Sequence, residues 1–121
     1  MNEARLGAVE TRFAHIVWDH APLTTAELVR LCEQELAWKR TTTYTVLKRL
    51  CERGLFKTEN SVVSALVSRD EYYSSQSTRF VEEHFSGSLP AFVAAFTSKR
   101  ALSAADVAEL QALIDNYGKE S

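Results

Sequence analysis

Between Ala37 and Lys57 the chain reads AWKRTTTYTVLKRLCERGLFK, with six cations (Lys39, Arg40, Lys48, Arg49, Arg53 and Lys57) against one acid, Glu52. This stretch carries +5 in a chain of net charge −2, so the remaining 100 residues carry −7. Positive charge concentrated on one short element of an otherwise acidic chain selects an anionic partner. Four threonines, Thr41, Thr42, Thr43 and Thr45, fall within five positions of it. On a merely solvated helix face threonine loses rotamer freedom without any gain in packing. Against base edges its methyl and hydroxyl both have a use, while Arg and Lys beside it reach phosphates. The plainer reading is a solvated charged face; the threonines weigh against it.

Such residues need a helix to present them. Thr43, Val46, Leu47 and Leu50 fall at i, i+3, i+4 and i+7, the spacing of a buried helical stripe. Arg40, Thr41, Thr42, Tyr44, Thr45, Lys48 and Arg49 then mostly point to the opposite and flanking faces. Gly54 stands at the C-terminal cap, and Arg53 beside it suits the negative end of the helix dipole. The expected element is apolar on one side and presents hydroxyls, one aromatic ring and cations on the other.

The composition narrows the class. At 121 residues and 45% hydrophobic, the chain is long enough to bury about two-thirds of its unfolded surface. No apolar run approaches the ~18 residues of a membrane span, and MNEARLGAVETRF lacks the apolar core of a signal peptide. A cytoplasmic protein with no membrane partner is expected. Cys32 and Cys51 sit on apolar helix faces and read as buried reduced thiols. His15, His20 and His84 show no metal-ligand spacing, and four glycines leave no phosphate-cradling loop, so neither metal nor cofactor is expected.

In chain order, Leu6, Val9, Phe13, Ile16 and Val17 stripe a first helix over roughly Leu6 to Asp19, with Trp18 closing its end. Pro22 breaks it. Thr24 and Glu27 form a capping box that starts a second helix, burying Leu28, Leu31 and Cys32 and ending near Leu36. The spacer Ala37-Trp38-Lys39 is short, so this helix and the basic one after it form a helix-turn-helix. Beyond Gly54, Leu55 to Lys57 and Val62 to Val67 read as strands flanking the turn Thr58-Glu59-Asn60-Ser61. Three helices followed by a hairpin is the order of a winged helix. Its wing would centre on Asn60 and Ser61, with Lys57 aimed at a phosphate.

The last third has another character. Ser68-Arg69-Asp70-Glu71 opens a helix with Tyr72, Tyr73, Phe80, Val81 and Phe85 on one side, and Gly87-Ser88 breaks it. Leu89, Phe92, Val93 and Phe96 stripe a short helix. Ser103 to Asp106 start a last one, carrying Val107, Leu110, Leu113, Ile114 and Tyr117. Because the winged-helix unit needs no further core, these apolar faces are expected to pair with a second copy, a two-fold dimer being the commonest soluble oligomer. The expected interface comprises Tyr73, Phe80, Phe85, Leu89, Phe92, Val93, Phe96, Leu110 and Ile114. The architecture is mainly α with a small β-hairpin, a winged helix-turn-helix at residues 1–68 followed by a helical dimerisation region at 69–121.

Together, Phe13-x-x-Ile16-Val17-Trp18, Thr24-x-x-Glu27-Leu28-Val29, the run Trp38 to Leu50, Arg53-Gly54-Leu55, Arg69-Asp70-Glu71-Tyr72 and Phe92 to Phe96 resemble the penicillinase-repressor group of bacterial regulators. The resemblance covers about Glu10 to Tyr117. It implies a homodimeric winged-helix repressor of palindromic operators, with Arg40, Thr41, Thr42, Tyr44, Thr45, Lys48 and Arg49 facing double-stranded DNA and the C-terminal helices intertwined as the dimer interface. The residues themselves add Lys57 and Asn60 of the wing to the expected DNA contacts. In β-lactam-responsive members a sensor protease cuts an Asn-Phe bond in the dimerisation region, whereas Ala95-Phe96 stands at that step here. Copper-responsive members end in a Cys-rich metal-binding tail, whereas this chain ends Asn116-Tyr117-Gly118-Lys119-Glu120-Ser121.

Three functions compete at this point. A dimeric DNA-binding repressor leads. A winged-helix protein-interaction module, with its basic helix against an acidic partner, is the alternative. An enzyme is disfavoured, because no Ser/His/Asp, Cys/His or paired-carboxylate set sits on elements that converge.

Overall fold

The computed structural model describes residues 5–119; Met1 to Ala4, and Glu120-Ser121 at the end of the tail quoted above, lie outside the described residues. Among the described residues the order is α1 (Ala8–His20), β1 (Leu23–Thr24), α2 (Thr25–Leu36), α3 (Arg40–Glu52), β2 (Phe56–Glu59), β3 (Val62–Ala65), α4 (Arg69–Phe85), α5 (Leu89–Lys99) and α6 (Ala104–Tyr117). They divide into two compact units, one running through Ser77 and the other starting at Thr78.

The first unit is a winged helix built around one core. Phe13, Ala14, Ile16 and Val17 come from α1, Leu28 and Cys32 from α2, and Val46, Leu47 and Leu50 from α3, with Leu23, Phe56 and Val63 from the sheet. Thr43 is buried among them, its hydroxyl 3.4 Å from the Lys39 carbonyl. Val9, expected on the α1 stripe, is 52% exposed, and Leu6, just before the helix, packs on this end of the core instead.

Local chemistry fixes how α2 meets α3. Thr24 Oγ1 accepts from the Glu27 N–H at 3.1 Å, and Glu27 Oε1 accepts from the Thr24 N–H at 2.9 Å, the reciprocal capping box. At the other end Ala37 adopts the left-handed conformation (φ 58°), and its N–H donates to the carbonyls of Cys32 and Glu33. Helix-turn-helix turns often use glycine for this purpose; alanine is strained there. Trp38 stacks on Phe13 with ring centroids 5.6 Å apart, holding the turn against α1. The far end of α3 closes in a Schellman arrangement. Gly54 at φ 86° donates to the Cys51 carbonyl at 3.0 Å, and the Leu55 N–H to the Leu50 carbonyl at 3.1 Å.

The sheet is antiparallel in the order β1-β3-β2. Strand β1 has no counterpart in the sequence reading, since two residues carry no period. Thr24 is both its last residue and the cap of α2. Asn60 and Ser61 join β2 to β3 with φ of 54° and 62°, the two left-handed residues that a type I′ hairpin requires. Thr58 and Glu59, expected in the turn, continue the strand and pair with Val63 and Val62. The Ser61 carbonyl accepts from the Thr25 N–H at 2.9 Å, so the wing is tied to the start of α2.

The start of α4 is fastened to α1. Ser68 and Glu71 form its capping box. Trp18 Nε1 donates to the Val67 carbonyl at 2.9 Å, Arg69 pairs with Asp19, and Tyr72 is buried. Cys32 and Cys51 are free thiols. Cys32 is wholly buried, whereas Cys51, expected buried too, is half-exposed with its Sγ 3.6 Å from Thr58 Oγ1. Burial pushes the Cys32 thiol up to about 11, against which a hydrogen bond from Thr43 acts.

In the second unit α4 ends at Ser86 and Gly87, both left-handed, and Ser88 caps α5 through the Ala91 N–H at 3.1 Å. Ser103 and Asp106 cap α6. Phe85 and Phe92 meet edge-to-face at 5.6 Å, with Phe80 at 5.9 Å from Phe92 and Phe96 at 6.3 Å.

Removing the α2 cap with Thr24→Ala should cost about 1 kcal/mol. Relieving the left-handed alanine with Ala37→Gly should add roughly 0.5–1 kcal/mol, the lost strain less the extra freedom of the unfolded chain. Urea unfolding measures both, and a loss on Ala37→Gly would contradict the strained turn.

Candidate nucleic-acid interface

Burying one stripe of α3 leaves its other side outward. Arg40, Thr41, Thr42, Tyr44, Thr45, Lys48 and Arg49 are all exposed, while Thr43, Val46, Leu47 and Leu50 between them are buried. The first turn has no acid, and its N-cap, Lys39, makes no side-chain hydrogen bond to the helix. Lys39 and Arg40 stand at the positive end of the dipole, an arrangement that costs the helix a few tenths of a kcal/mol or more. Open N–H groups and two cations at one helix end form a receptor for an anion, and phosphate is the anion such ends commonly hold. The Arg40 guanidinium lies 5.5 Å over the Tyr44 ring, a cation–π contact that limits where Arg40 can swing.

The predicted wing residues are also exposed. Asn60 is at the hairpin tip, and Lys57 lies on β2 with its Nζ 3.4 Å from Glu59 Oε1. Both partners of that pair are exposed, so it contributes little and leaves Lys57 free to exchange it for another anion. The hydrogen bond from Thr25 to Ser61 and the β1–β3 pairing fix the wing relative to the helix-turn-helix. All these residues belong to the first unit.

Arg49 differs from its neighbours. Its Nη1 donates to Glu10 Oε2 at 2.8 Å, while Arg53 Nη1 lies 3.6 Å from Glu10 Oε1. Glu10 Oε1 also accepts from the Gly7 N–H at 3.2 Å. The hydrogen bond from Arg49, then that from Gly7 and the nearby charges, hold the Glu10 carboxyl below its ordinary value of 4.5 against a smaller opposing effect of burial. Glu10 was not singled out in the sequence. Its place at N3 of α1 accounts for it locally, and no short-range pattern joins it to a residue 39 positions away.

The expected interface residues lie in two groups. Tyr73 belongs to the first unit, where its hydroxyl is 3.0 Å from His15 Nε2. Phe80, Phe85, Leu89, Phe92, Val93, Phe96, Leu110 and Ile114 lie in the second. Neither α5 nor α6 has a buried residue. Val107, Leu110, Ile114 and Tyr117 follow at i, i+3, i+7 and i+10, the alternation of a coiled-coil seam, and Tyr117 is 86% exposed. Among the described residues no helix is long and apolar enough to cross a membrane, and no three His, Cys, Asp or Glu side chains are grouped to hold a metal ion.

A family model described as penicillinase repressor matches residues 6–116, taking in α1 through α5, both strands of the hairpin and nearly all of α6. The chain belongs to the penicillinase repressor family. It is also similar to the penicillinase repressor of Bacillus licheniformis, at 20% identity over 117 residues, covering 93% of this chain and 91% of that one. The family is one of transcriptional repressors rather than of enzymes. In this member, the outward side of α3 and the seam of α6 carry side chains that lie outside the buried core.

The Glu10 carboxyl titrates lower folded than unfolded, so its ion pairs contribute fully above the ordinary carboxylate range, and the contribution is lost as pH falls through the depressed value. The stability difference between the wild type and Glu10→Gln should therefore be largest near about pH 6 and shrink toward about pH 3. Urea midpoints across that range test this; a difference that stays constant would mean that the pairs contribute nothing.

Proposed function

We propose that this chain is a homodimeric transcriptional repressor that binds a palindromic operator in double-stranded DNA. Residues 1–68 bind the DNA and residues 69–121 dimerise. The observation that carries this reading is the outer face of α3: cations and hydroxyls with no acid in the first turn, held outward by a buried inner stripe. In the reading, α3 enters the major groove. Arg40 and Lys48 meet phosphates, and Thr41, Thr42, Tyr44 and Thr45 meet base edges. Lys57 and Asn60 rest on the neighbouring backbone. Phosphate contacts supply most of the affinity and are blind to sequence, whereas each good base-edge contact adds roughly 1–3 kcal/mol of discrimination. The repressor acts where its operator lies, in the cytoplasm.

Support for the dimer comes from the second unit. About forty residues with no buried side chain in α5 or α6 cannot stabilise themselves by core burial, and pairing with a second copy is the general remedy. Leu89, Val93, Phe96, Leu110 and Ile114 then become the centre of the interface, and the two-fold axis gives two copies of α3 for two half-sites.

Fluorescence anisotropy with duplex DNA from the chain's own upstream region, against a scrambled duplex across a salt series, tests the function. Tighter binding to the native duplex with a steep negative salt slope is expected. Equal binding to both that vanishes at physiological salt would favour a protein-interaction module with an acidic partner instead. Among variants, Arg40→Ala and Lys48→Ala should weaken both duplexes alike, whereas Thr42→Ala and Tyr44→Ala should mainly narrow the gap between them. Proportional losses in all four would contradict this division. Ile114→Asp should convert the dimer to monomer in sedimentation and cut operator affinity at least about tenfold, since each half-site is then bound alone.

A further inference from the structure

Arg49 lies on the last turn of the helix that carries the proposed reading face, yet it is held. Its guanidinium donates to Glu10 at 2.8 Å, and Arg53, four residues on, faces the same carboxylate at 3.6 Å. Glu10 is itself anchored by the Gly7 N–H, so the carboxylate is a fixed acceptor on α1 rather than a wandering surface charge. Among the described residues no ion pair engages Lys48, next to Arg49 in sequence, or Arg40 at the other end of the face.

We propose that Glu10 is a positioning residue for DNA binding, one that withholds Arg49 from phosphate and so sets how strongly the protein clings to DNA of any sequence. The proposal rests on the DNA-binding reading above. A free arginine at that edge of the helix would reach a backbone phosphate and release a counterion, adding affinity equally to operator and non-operator DNA. Held by Glu10, it adds neither. Non-specific sites far outnumber operators, so each such contact avoided leaves more protein unbound and free to search.

The test compares salt slopes of anisotropy titrations on native and scrambled duplexes for the wild type, Glu10→Gln, Glu10→Asp and the double variant Glu10→Gln/Arg49→Ala. Glutamine keeps the acceptor for the Gly7 N–H, and unfolding midpoints establish that each variant is folded. Aspartate keeps the charge and loses the reach to Arg49. Both single variants should bind both duplexes several-fold tighter at low salt, with log K against log salt steeper by about 0.9, the increment for one more phosphate. The double variant should return to the wild-type slope. A steeper slope in Glu10→Gln but not in Glu10→Asp would overturn the proposal, since removing any negative charge would then suffice. So would a slope that stays steep in the double variant, or that never changes. If the wild type binds neither duplex, the DNA-binding reading fails first; wild-type binding with unmoved slopes sinks only the role of Glu10.

Discussion

Everything in the first unit depends on the burial of four residues of α3: Thr43, Val46, Leu47 and Leu50. Their contact with Phe13 and Val17 of α1 and with Leu28 and Cys32 of α2 forms the core, and it also fixes the rotation of α3 about its axis. A helix whose apolar side is committed has no freedom in what it shows to solvent. The cations and threonines of the opposite side are thus presented by the same free energy that folds the domain. At about 25 cal/mol per Å² of apolar area, rotating this stripe outward would cost several kcal/mol, far more than any solvated charge pair could return.

The neighbouring elements refine that constraint. The strained turn at Ala37, Trp38 stacked on Phe13 and the Thr24 capping box set how α2 leads into α3. Strand β1 binds the hairpin back onto the body that carries α3. Electrostatics works on α3 in two directions. The first turn of α3 gathers positive charge without an acid, whereas its last turn is restrained by Glu10 from α1. In the proposed reading the first feature sets affinity and the second limits it. The second unit works by an opposite principle, since α5 and α6 leave many of their apolar side chains outside, where the proposed second copy would cover them.

Much of this was legible in the sequence because it is local. A four-residue stripe on one helix, two capping boxes with Thr24 and Ser103, the glycine after α3 and the Asn-Ser hairpin tip are patterns of at most a few residues, each with a single physical cause. What escaped was set at longer range. Strand β1 exists because β3 offers it a partner, and two residues cannot announce that. Val9 satisfied the helical period but falls outside the core, where Leu6 takes its place. Arg49 looked like any other cation of the basic face, and only the approach of α1 brings Glu10 to it. Cys51 fits an apolar face by period yet remains half-exposed, since the edge of the core comes before it. The family resemblance rested on the order of such motifs, none of which is specific alone, and the match across residues 6–116 agrees with that order.

The central claim, that the outer face of α3 meets DNA, is tested most directly by a nuclear magnetic resonance titration of isotope-labelled protein with duplex DNA from its upstream region. The account predicts that the largest amide shifts cluster at Arg40 to Lys48 and at Asn60 and Ser61, with the core of α1 unmoved. Shifts centred on α2 or on the second unit, with α3 silent, would contradict it.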